Sequence, residues 1–161
     1  MTIQDIERLL TERRLEVYSN LLDEVEQKNV PDKEKFDSFL LLHDEYKKRA
    51  DKCLMVLTEN DFSDLDDFAA KRIIDSFAYA TTLHLEADIL LLKKARKYSY
   101  LVANMTKAID DAIDREQKRL DGIRATFNEA LQDFREQYTE LLGNEQVILD
   151  SMLRKEFEGF L

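Results

Sequence analysis

Glycine and proline are almost missing from this chain: Gly122, Gly143, Gly159 and Pro31 serve all 161 residues. Neither type occurs between Asp32 and Asp121. Turns that need a left-handed residue or a fixed φ angle are therefore scarce, and the chain can reverse direction only a few times. Long helices are the remaining option. Cysteine is reduced to Cys53, which excludes an internal disulfide. Its place in the apolar run Cys53-Leu54-Met55-Val56-Leu57 predicts a buried, reduced thiol. Long hydrophobic runs are missing too: that stretch, residues 53–57, is the longest, whereas a membrane span needs about 20 residues. The opening Met1-Thr2-Ile3-Gln4-Asp5 lacks the basic-then-apolar layout of a secretory signal, and a cytoplasmic protein is expected. Positive charge is in deficit, with 24 Lys and Arg against 34 Asp and Glu and a net charge of −10. Phosphate contacts need a positive field, so broad nucleic-acid or anionic-membrane binding is disfavoured.

What the chain does hold is 44% hydrophobic and 36% charged residues. That is too apolar for disorder and rich in charge for a compact globule, and it suits helices with wide solvated faces. The expected fold is a single all-α domain over residues 1–161, an antiparallel up-and-down helical bundle of three to five helices. One long amphipathic helix is expected to extend as a coiled-coil arm.

The spacing predicts helices over about 3–28, 32–58, 64–103, 105–142 and 145–158. The first carries two adjoining stripes, one with Ile3, Ile6 and Leu10, the other with Tyr18, Leu22 and Val25. Asn29-Val30-Pro31 ends it, because the residue before proline avoids the helical region. In the second, Phe39, His43, Tyr46, Ala50, Cys53 and Leu57 follow a 3.5-residue seam. Ser63 is the expected cap of the third, with Asp66 in the reciprocal position. That helix is apolar on most sides over residues 73–92 and is expected to be the central post. Asn104 is a candidate stop with Thr106 as a new cap, and Gly122 a candidate kink. Without a break, the stretch from 64 to 142 would run roughly 120 Å. Gly143-Asn144 is the clearest C-terminal stop.

Leu120, Ile123, Phe127, Ala130, Phe134 and Leu141, with Glu116 and Gln137 completing the series, keep a strict 3-4 alternation among charged or polar neighbours. Such a narrow seam pairs with one partner helix rather than entering a broad core. The first two helices are short and already spent on the core, so the seam is expected to bind another helix. The expected partner is a second copy in a homodimer, or a different protein.

Other constellations carry alternative chemistries. Lys93, Lys94, Arg96 and Lys97 lie with Tyr98 and Tyr100 in an eight-residue stretch of an otherwise acidic chain. Folded against Lys28, Lys33 and Lys35, they would form an anion- or nucleic-acid-binding patch. Asp110, Asp111 and Asp114 stand at spacings that bring helical carboxylates together on Mg²⁺, as a phosphoanhydride hydrolase would need. His43 and His84 lack the Glu-x-x-His partners of a di-iron bundle, so core histidines are expected. The glycines stand too far apart for a phosphate loop, there is no Gly-x-Ser-x-Gly turn, and no nucleophile, base and oxyanion donor form a set. No catalytic residue and no cofactor are assigned. The leading expectation is a non-enzymatic interaction or scaffolding protein. An anion binder ranks second and a Mg²⁺-dependent hydrolase third.

Overall fold

The computed structural model describes residue 16 and residues 18–59 and 61–137. Among them no strand occurs; helices and turns account for the fold. Helix α1 covers residues 18–26, followed by α2 (Asp32–Glu59), α3 (Asp67–Arg96), a 3₁₀ turn (Ser99–Leu101), α4 (Met105–Thr126) and α5 (Asn128–Gln137). No helix of the described residues is long and apolar enough to cross a membrane. The helices expected over residues 3–15 and 145–158, the Gly143-Asn144 stop and Leu141 lie outside the described residues.

Helix α3 is the central post, packed against α2, α4 and α5. Its near-continuous apolar surface demands neighbours on several sides. The main core gathers Tyr18, Leu21 and Leu22 of α1, Phe36, Phe39 and Tyr46 of α2, and Leu91 and Leu92 of α3, closed by Ile109 of α4. Aromatic packing fixes the register. Tyr18 meets the edge of Tyr46 at 6.2 Å, and Phe39 stacks on Tyr98 at 6.2 Å between ring centroids. A second, smaller core holds Ala50, Leu85, Ile89, Leu120 and Ile123.

Three expected boundaries move, each for a local reason. Asp66, not Ser63, caps α3: its side chain accepts the Ala69 N–H at 2.8 Å. Ser63 instead gives its backbone N–H to Asp61 at 2.9 Å, forming a side-chain turn. The break between the third and fourth helices begins earlier than expected, after Arg96. There the buried Ser99 hydroxyl binds the Arg96 carbonyl at 2.8 Å and the Thr106 hydroxyl at 2.7 Å, so Thr106 braces the turn rather than capping. Asn104 completes the reversal at φ 65°, in the left-handed region that asparagine tolerates better than most residues. Gly122 does not kink its helix. The interruption falls at Phe127 (φ −107°, ψ 25°), and α5 continues beyond it.

Candidate interaction site

The reversal at Asn104 folds α4 back along α3, and this gives the first part of the seam neighbours within the chain. Leu120, 3% exposed, and Ile123 are buried against Leu85 and Ile89 of α3 and Ala50 of α2. Their partner is inside the chain. Past Phe127 the seam is less enclosed. Phe127 and Ala130 are half-buried, and Phe134 stacks on Tyr79 of α3 with ring centroids 4.3 Å apart.

Two open grooves meet at Phe127. One, of about 350 Å³, runs between α2 and α4 and is lined by Leu54, Ile123 and Phe127 with Gly122 in its wall. The other, of about 410 Å³, runs between α3 and α5 over Ala70, Ile74 and Ala130. Gly122 is the unusual member. It sits inside α4, and a Cβ added there would meet nothing within 4 Å. Glycine costs a helix interior about 1 kcal/mol against alanine, and nothing within the described bundle requires that cost here.

The predicted cations are largely engaged with acids from neighbouring helices. Lys94 donates to Asp23 at 2.5 Å and Glu26 at 2.6 Å, and Lys97 reaches Glu26 at 3.4 Å. Arg96 donates to Asp110 at 2.5 Å, and Lys93 is exposed. Burial pushes the Glu26 carboxyl up, but the hydrogen bond from Lys94 and the nearby cations outweigh it and hold Glu26 below its ordinary range. Burial, with the Glu26 charge, lifts the Tyr98 hydroxyl to about 12. Tyr100 donates to Asp32 at 3.0 Å, which brings the start of α2 to this corner. However, α1 brings Asp23 and Glu26 into it. An anion would have to displace these carboxylates.

The acidic triplet is likewise dispersed. Asp110 faces Arg96, Asp114 pairs with Lys118 at 2.9 Å, and Asp111 is exposed. Among the described residues no group of three or more His, Cys, Asp or Glu side chains is arranged to hold a metal ion.

A buried ionic layer crosses the bundle instead. His43 Nδ1 bonds to Asp88 Oδ1, tying α2 to α3. Glu116 of α4, 0% exposed, accepts from Arg119 at 3.1 and 3.3 Å, and Arg119 reaches on to Asp51 of α2 at 2.7 Å. Arg124 donates to the buried Glu86 at 2.7 Å. Sequence reasoning missed this layer, although Glu116 in a seam position and Asp88 four residues beyond His84 were its visible traces. The layer joins helices and assembles no nucleophile with a base.

Asp88 is the strained member. It is 0% exposed, and its second carboxylate oxygen has no hydrogen-bond partner. Burial pushes its carboxyl above the ordinary value of 3.8; His43 opposes that and the Glu116 charge adds to it. The folded state therefore binds this proton more tightly than the unfolded chain does. By linkage, ionised Asp88 lowers stability at pH above its folded value, and the loss is recovered as pH falls through that value towards 3.8. Asp88→Asn should then be more stable than the wild type at neutral pH, with the difference vanishing below 3.8. Denaturant midpoints across this range check it; an asparagine variant less stable at pH 7 would contradict the sign.

Comparison with protein-family models, with curated proteins and with solved structures found no match to this chain.

Proposed function

We propose that this protein is a non-enzymatic helical interaction protein that self-associates as a homodimer through the groove at Gly122. The observation that carries the reading is the glycine itself. A residue that weakens its own helix and has open space above it suits close approach by a second helix backbone. Two further features support a second copy as the occupant. The groove is apolar, so a copy carrying −10 charge meets little local repulsion at its centre. The exposed side of α4 also carries both signs, Asp114 and Asp121 beside Arg115 and Lys118, so a copy packed with an offset along the groove can set opposite charges against each other. A cytoplasmic setting fits, since Cys53 is a half-buried thiol whose ionisation burial opposes.

Gly122→Ala and Gly122→Gln separate folding from association. Both remove the helix penalty, so both should raise unfolding stability, by about 1 kcal/mol for alanine. The glutamine side chain fills the groove, and light scattering should find its mass at one chain, 19.0 kDa, while the wild type stands at twice that. A wild type that stays at 19.0 kDa at the highest workable concentration would overturn self-association.

A further inference from the structure

The groove between α3 and α5 differs in character from the one at Gly122. Its floor is apolar, from Ala70 and Ile74 on α3 to Phe127 at the α4–α5 break and Ala130 on α5. Its charged lining is Asp67, Asp75, Glu129 and Asp133 against Lys71. Lys71 is already held by Asp133 at 2.6 Å and Asp75 at 2.8 Å, and hydrogen bonds to those two carboxylates, Asp133 first, push its pKa upward. That leaves Asp67 and Glu129, both exposed, as acids of the rim. The loop leading into α3 is itself acidic, with exposed Asp61, Asp64 and Asp66, of which Asp61 and Asp66 accept backbone N–H groups. Among these acids stand Leu65 and Phe68, the latter 69% exposed with the Arg72 guanidinium 5.6 Å over its ring.

An apolar trough with an acidic rim is the complement of one ligand chemistry. We propose that this groove binds a basic amphipathic helix of a partner protein. The apolar stripe of the partner lies over Ile74 and Ala130, and its Lys and Arg side chains meet Asp67 and Glu129. Charge excludes the nearer candidates. A second copy brings a net charge of −10 to an acidic rim. Residues 138–161 of the chain carry Glu140, Glu145, Asp150, Glu156 and Glu158 against Arg154 and Lys155, which is also the wrong sign. The inference deepens the interaction reading but uses a groove other than the one at Gly122.

Fluorescence anisotropy with three labelled peptides tests it on the full-length protein: a Leu/Lys amphipathic helix, a Leu/Glu helix with the same apolar stripe, and the Leu/Lys composition scrambled to destroy the stripe. The first should bind and the other two should not. Asp67→Asn with Glu129→Gln should weaken binding roughly five- to tenfold, the sum expected for two partly solvated ion pairs. Ala130→Gln, which fills the trough without changing charge, should abolish it, whereas Gly122→Gln should leave it unchanged. Binding of the scrambled peptide as tightly as the ordered one would reduce the effect to bulk charge and overturn the proposal. Tighter binding of the Leu/Glu helix would overturn the charge assignment while leaving a helix-binding groove. Binding of no peptide would remove this groove and leave the light-scattering test of Gly122 standing on its own.

Discussion

Leu120→Ala should destabilise the protein by about 2–5 kcal/mol, the range for truncating a fully buried leucine in a core that cannot collapse around the gap. The residue is 3% exposed and shares its cluster with Ala50, Leu85, Ile89 and Ile123. Three helices converge there, so relaxation of one is resisted by the other two. Chemical denaturation of the purified variant measures the loss. The outcome also decides what the heptad pattern is for. A residue held in a seam for an outside helix would lose association on truncation and leave the unfolding free energy of the isolated chain nearly unchanged.

Arg119→Met should cost about 3–5 kcal/mol, because it leaves a buried carboxylate without its cation. Glu116 is fully buried and accepts two hydrogen bonds from Arg119. The remaining cation, Arg115, sits 3.6 Å away and is itself exposed, so it compensates weakly. Methionine keeps most of the aliphatic bulk, and the loss therefore reports the charge. Adding Glu116→Gln to Arg119→Met should recover a substantial part of the stability, since removing both charges lifts the desolvation penalty. A double variant no better than the single one would mean that Arg119 acts through packing or through Asp51 alone.

The helices were legible because their periodicity is strong. Residues 32–58 were expected in α2, which spans Asp32–Glu59, and residues 73–92 announced a helix with neighbours on most sides. What the pattern could not give was the partner of Leu120. Finding it required the reversal between Arg96 and Met105, and that turn uses neither glycine nor proline. A buried serine and a left-handed asparagine make it, two residue types that occur throughout ordinary helices and loops and carry no unique signal. Without that reversal, α4 looked like an arm with nothing to hold. The acids that hold the basic run were hidden for a related reason. Asp23 and Glu26 lie 71 and 68 positions from Lys94 in sequence, and only the packing of α1 on α3 brings them there.

That same separation bears on how the chain is made. The apolar side chains of α1 share their core with Phe36 and Phe39, which are made soon after them, and with Leu91, Leu92 and Ala95, which are made much later. Lys94 is 71 residues downstream of Asp23; at about 5–20 residues per second, the first helix spends roughly 4–14 s outside the ribosome before its docking surface exists. Over that interval Tyr18, Leu21 and Leu22 lack the part of their core that α3 supplies, which gives a chaperone or a neighbouring chain an opportunity to bind them.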